Sequence, residues 1–327
     1  MSLLTTSTRP FWLPTLNLVT GRAEKGLSGW LSDSEFQVYS KIQAELFVTN
    51  CVIPDSLVCA FAADVNRCAM AAFETTLQIQ PTQNFPKSLG WLAIKSYYAA
   101  FFAAHSLLRM LGTAFVQIDK HTAGTITRIA DLYGMSNGVS IGAGYYKCFY
   151  DAQTNDLKFE KVSTAGGGVH EVFWSVVHSR VRKLSTDVLG SKVGLAKDNQ
   201  LVAAKLIELA DNLTYSSFSR GNWLSHVRNI VNYNHRLAMW YPYSGQPTYA
   251  KTLFKSRWTW LQDPMNLNLS SHGDQDLLRF QQTCNFVIGM CRETALDMSE
   301  RCPSGKSFLL FGSVAFLNLM KQRVSFN

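Results

Sequence analysis

Charge is scarce in this chain. Asp, Glu, Lys and Arg make up 17% of its 327 residues, against 47% hydrophobic residues. That excludes a disordered, solvated chain and supplies a core. Proline and glycine are sparse as well, at 9 and 21 residues, which excludes collagen-like and low-complexity architectures. The seven cysteines contain no CxxC pair. Cys51, Cys59 and Cys68 are spaced eight and nine apart, Cys284 and Cys291 seven apart, and no His stands at ligand spacing beside them. They read as buried structural thiols and not as zinc ligands. Their odd number, with no basic start and continuous apolar run at the beginning of the chain, points to a reducing cytoplasm. Near the other end, the apolar stretch over 307–320 has fourteen residues. A spanning helix needs about 20, so a buried helix or strand is expected there, with membrane attachment as the second choice and no membrane counted among the partners.

Enzyme signatures are missing too. There is no GxSxG elbow and no HExxH. Cys302-Pro303-Ser304-Gly305-Lys306-Ser307 ends like a phosphate-binding loop, but Glu300 stands where the first glycine is required. Gly142-Ala143-Gly144 lacks a third glycine at Lys147. His121, His170, His178 and His272 are isolated and read as ordinary surface or core histidines. No cofactor is indicated.

The most telling absence is of acid. The net charge is +8, and between residues 212 and 262 there is no Asp or Glu. The same stretch holds Arg220, Arg228, Arg236, Lys251, Lys255 and Arg257, interleaved with Trp223, Tyr233, Trp240, Tyr241, Tyr243, Tyr249, Trp258 and Trp260. Basic groups hold phosphates and aromatic faces stack on unpaired bases. A polyanion site is favoured over a merely solvated basic face with aromatics in the core.

Most of the chain carries helical periodicity: 56–80 before Pro81, 86–111 before Gly112, 123–133, 169–189, 199–217, 223–240 and 274–300. Between 134 and 168 the texture changes, and two alternating aromatic segments around Gln153-Thr154-Asn155-Asp156 predict a β-hairpin. Ala165-Gly166-Gly167-Gly168 reads as a joint. The expected organisation is an N-terminal helical extension over 1–85, a helical domain over 86–300 interrupted by an insertion at about 134–198, and an apolar C-terminal segment over 301–327.

Within the acid-free stretch, Arg228-Asn229-Ile230-Val231-Asn232-Tyr233-Asn234-His235 would place Arg228 and His235 on one helix face, about 10.5 Å apart along the axis. Asn229 sits beside that face and Asn232 one turn on. An Arg, a His and two amides on one stripe make a poor core face and a good phosphate site. Earlier in the chain, Ser96-Tyr97-Tyr98-Ala99-Ala100-Phe101-Phe102-Ala103-Ala104-His105-Ser106-Leu107-Leu108-Arg109-Met110-Leu111-Gly112 resembles the signature helix of the HEPN superfamily. Lys120-His121-Thr122-Ala123-Gly124 resembles the stretch that follows it, and Arg228-Asn229 with His235 resembles that family's Arg-polar-x(4–6)-His motif. The resemblance covers about 89–133 and 219–240.

It implies a HEPN-like helical bundle that forms a homodimer across a shared cleft. In active members it implies metal-independent RNA cleavage in toxin–antitoxin or phage-defence systems, with an antitoxin or another defence subunit as partner. On that pattern Arg228 is the phosphate clamp, His235 the general acid/base and Asn229 the residue that orients them. Arg220, Trp223, Asn232, Tyr233, Arg236, Lys251, Lys255 and Arg257 would line the RNA path. The chain departs from the pattern in placing Tyr233 before His235 and Leu237 where some members carry Tyr. A second reading is therefore a non-catalytic subunit that binds RNA or nucleotides, or acts as a scaffold.

Overall fold

The computed structural model describes residues 2–77, 89–164, 167–234, 239–240, 250–270 and 276–324. The described helices are α1 (Leu3–Thr8), α2 (Leu27–Ser32), α3 (Pro54–Leu77), α4 (Gly90–Met110), α5 (Lys120–Leu132), α6 (Val169–Leu189), α7 (Ala196–Leu213), α8 (Trp223–Tyr233), α9 (Ala250–Ser256), α10 (Asp276–Glu300) and α11 (Ser313–Val324). The strands are β1 (Phe36–Gln37), β2 (Leu46–Cys51), β3 (Thr113–Ile118), β4 (Gly144–Asp151) and β5 (Asp156–Val162). The chain is mainly helical with one small antiparallel sheet, as its periodicity predicts.

Alanines explain the centre. On α3, Ala60, Ala62, Ala69 and Ala72 are buried, as are Ala99, Ala100, Ala103 and Ala104 on α4. Side chains this small let two long helices run close, and they lose no rotamer entropy on burial. The α4 helix is packed on a third side by α10, where Ser96 Oγ donates to Gln281 Oε1 at 2.9 Å. Tyr97, Ala100, Ala104 and Leu108, at helical spacing, form a buried stripe on α4, with Phe101 partly buried. Gly112, with φ +68°, ends α4 and turns the chain straight into β3.

By length and composition α3 would be able to cross a bilayer, alone among the described helices. In the fold, 67% of its most apolar window is buried against other elements, as in a core helix. The C-terminal segment forms a short 3-10 turn and α11, with Phe308, Leu309, Val314, Leu317 and Met320 buried.

The sheet is larger than the sequence suggested. The β4–β5 hairpin forms around its expected turn, with Asn155 at φ +58°. It sits inside a five-stranded sheet of order β1-β2-β5-β4-β3, every pairing antiparallel. Two of those strands, β1 and β2, come from the region expected to be a helical extension, and β3 follows α4 directly. A lone hairpin leaves both edges unpaired and is marginal in water, so distant short strands complete it. Ala165 and Gly166 of the expected joint lie outside the described residues.

All seven cysteines are unpaired. Six are buried, and burial pushes the Cys148 and Cys291 thiols up to about 12. Cys59 is exposed, contrary to the expectation for its group.

Candidate phosphate site at the junction of α4, α6 and α8

A strained turn delivers α8. Ser216 and Ser217 have φ of +57° and +71°, and Gly221 has φ +78°. A Cβ at Gly221 would lie 2.4 Å from the Cβ of His178, so only glycine fits between this turn and α6. The helix then buries Trp223, Leu224, Val227 and Val231 and leaves Arg228, Asn229 and Asn232 half-buried on its other side. The segment after it returns to the start of α4. Trp240 Nε1 donates to the Val231 carbonyl at 2.6 Å, and the Trp240 ring lies over Gly90, where any Cβ would collide with it.

Helix α8 is shorter than its periodicity predicts. It closes at Tyr233, and Asn234 is already non-helical, with φ −122° and ψ 89°. The continuous helix on which Arg228 and His235 were expected to share a face therefore stops short of His235. His235 and Arg236 themselves lie outside the described residues. Periodicity continued past a point where Asn, a weak helix former, ends the hydrogen-bonded ladder.

The structure brings other partners to Arg228. Its Nη2 donates to the Tyr98 hydroxyl at 2.7 Å and its Nη1 to Asn229 Oδ1 at 2.9 Å. The guanidinium carbon lies 5.7 Å from the Tyr98 ring centre and 5.9 Å from that of Tyr233. Among the described residues no carboxylate pairs with Arg228. Each terminal nitrogen carries two hydrogens, so one on each stays free for a further acceptor. Its Nε is buried without a partner.

A histidine from a different element lies within electrostatic reach of Arg228. His170, in the first turn of α6, places Nδ1 2.9 Å from the Tyr97 hydroxyl. That hydroxyl accepts from Trp174 Nε1 at 3.0 Å. Burial, and then the charge of Arg228, push the His170 pKa below the usual histidine range, so the ring is neutral near pH 7. With its proton on Nδ1, His170 donates to the Tyr97 hydroxyl and Nε2 is left with a free pair. That tautomer is a base held in place by a hydrogen bond on its other nitrogen. The ring packs against Phe101 at 4.6 Å and edge-on to Tyr98 at 6.0 Å, which limits its rotation. The sequence held one usable clue to this histidine, the helix start beside it after a glycine run.

The remaining expected RNA-path residues divide. Arg220 is exposed and opens onto a cleft of about 670 Å³ between the end of β5, the first turns of α6 and the turn over 217–222. Tyr233 is 71% exposed. Trp223 is instead a core residue, 2% exposed, with Tyr215 and Phe280 edge-on to its ring, so no face is open to a base. Lys255 is exposed, while Arg257 lies over Trp258 and donates to the Phe254 carbonyl. Neither bonds to Arg228 among the described residues. The Lys251 side chain lies outside what is described. No three His, Cys, Asp or Glu side chains cluster as a metal would require, among the described residues.

In comparisons with protein-family models, with curated proteins and with solved structures, nothing matches this chain.

Proposed function

We propose that the Arg228 group binds an RNA phosphate and that the protein is a metal-independent endoribonuclease of HEPN type, acting in a toxin or phage-defence system in the cytoplasm. The observation that carries this reading is a guanidinium held by Tyr98 and Asn229, without a carboxylate, beside a neutral histidine. RNA brings its own nucleophile. In this reaction His170 Nε2 takes the proton from the 2′-OH, the 2′-oxygen bonds to phosphorus, and the P–O5′ bond breaks. The 5′-oxygen leaves with a proton, giving a 2′,3′-cyclic phosphate and a 5′-hydroxyl. Arg228 stabilises the charge that builds on the phosphate oxygens. His235 is the natural candidate for the leaving-group proton, and a second copy of the chain would widen the cleft for an RNA strand. An antitoxin or another defence subunit would hold such an activity in check.

A second reading has its own support. Tyr233 lies over the guanidinium, which suits a site that binds RNA or a nucleotide, or scaffolds a larger complex, without cutting. Incubating the purified protein with mixed cellular RNA in EDTA separates the two. Cleavage that is lost in both Arg228→Ala and His170→Ala supports the nuclease. Tight RNA binding without cleavage, lost in Arg228→Ala alone, supports the binding module. Cleavage that survives His170→Ala and disappears in His235→Ala would return the base to His235.

A further inference from the structure

Apart from the Arg228 site, a groove of about 240 Å³ lies between the outer face of β3, β4 and β5 and the middle of α6. Strand register explains its composition. Thr113, Phe149 and Lys158 are directly opposed across three strands, and Lys147 and Glu160 form the next row on the same face. Helix α6 supplies Arg180 and Lys183 from the other side. Four cations thus meet two carboxylates: Lys147 and Lys158 share Glu160 at 3.4 and 3.1 Å, while Lys183 and Arg180 share Asp187 at 3.0 and 3.7 Å.

Two polar atoms at this groove, Thr113 Oγ1 and Arg180 Nε, are buried with no hydrogen-bond partner among the described residues, and Arg180 Nη1 has only its 3.7 Å ion pair with Asp187. Thr113 is only 2% exposed, and Arg180 keeps one described hydrogen bond, from Nη2 to the Leu111 carbonyl at 3.3 Å. Buried donors rarely go unpaired, and donors of this kind match the oxygens of a phosphate. Phe149 is 42% exposed on the same wall, an aromatic face amid lysines on a strand that is otherwise well packed. A flat ring system would stack there while its phosphates reach the cations.

We infer that this groove binds a nucleoside phosphate, its base against Phe149 and its phosphates between Thr113, Arg180 and Lys147, Lys158 and Lys183. The volume suits one small ligand and not a strand of nucleic acid. This inference does not rest on the ribonuclease reading.

Titration of the protein with trinitrophenyl-ATP, followed by fluorescence and repeated at rising salt, tests it. Binding should be displaced by ATP, resist displacement by adenosine, and weaken steadily with salt. Lys158→Glu and Lys183→Glu alter exposed side chains and leave the fold intact; each should weaken binding about tenfold, and Phe149→Ser about fivefold. Arg228→Ala should bind as the wild type does. Unchanged affinity in both lysine variants overturns the proposal. So does loss of binding in Arg228→Ala, which assigns the probe to the other site. Equal displacement by tripolyphosphate, with no effect of Phe149→Ser, removes the nucleoside and overturns the proposal as stated.

Discussion

Two arginine–histidine neighbours occupy this molecule, and their surroundings give them opposite characters. In the core, Arg109 is 4% exposed and donates to Asp64 Oδ2 at 3.1 Å and to His105 Nδ1 at 3.1 Å. Asp64 also accepts from the exposed Arg67 at 3.0 Å. Because arginine can only donate, His105 must accept, and it is held neutral. Near the surface, Arg228 meets two tyrosines and an asparagine, its charge acts on His170, and no carboxylate pairs with it among the described residues. The first charge is fully answered by the protein and serves the fold. The second has no carboxylate partner among the described residues. A buried pair is costly to break, whereas an unanswered half-buried cation is a place to bind.

The largest expected effect comes from breaking the core pair. Asp64→Ala leaves Arg109 buried without a counter-charge and should destabilise the protein by about 3–5 kcal/mol, read as a fall in the urea midpoint. Arg228→Ala should shift that midpoint far less, yet reduce RNA cleavage by about 10²–10³-fold. Arg228→Lys should also fail, since an ammonium cannot copy the planar fork. Should Asp64→Ala and Arg228→Ala lose stability equally, the distinction between the two arginines is lost.

Next in size is His170→Gln, which should reduce cleavage by about 10²-fold at pH 7. The pH profile sharpens the point. Burial and Arg228 hold His170 below the usual histidine range, so wild-type cleavage should rise with pH through a midpoint below about 6.5. A slower variant that retains the histidine and loses the charge at Arg228 should reach its plateau at higher pH.

The smallest effects concern stability against pH. The folded-state pKa of His105 is pushed well below its ordinary value, by burial and then by Arg109. Below about pH 6.5 the unfolded chain therefore binds a proton that the fold excludes. Stability should be complete above that pH and decline as the pH falls through it. His105→Gln, which keeps an acceptor for Arg109, should flatten part of the decline in urea melts at pH 7 and pH 5. Tyr233→Phe should change cleavage by no more than about twofold under the nuclease reading, since the ring over Arg228 is kept.

By itself the sequence determined what is local. Helix α6 runs from Val169 to Leu189 as its periodicity predicts, α4 stops just before the turn at Gly112, and the hairpin turns near Asn155. Spacing of apolar residues, a glycine free to take positive φ and alternation in a strand act over a few residues, so they can be read along a line. Arg228 and Asn229 were legible for the same reason, as a cation and an amide in an acid-free run. Tertiary structure alone brings His170 within electrostatic reach of Arg228, because the two are distant in the chain and approach only when α6 packs across α4 and α8. It also decided that Trp223 turns into the core, and that short strands from either side of α3 and α4 complete the sheet. Burial and strand pairing depend on partners far away in sequence. No local pattern encodes the distance between two side chains that meet only after the core has formed.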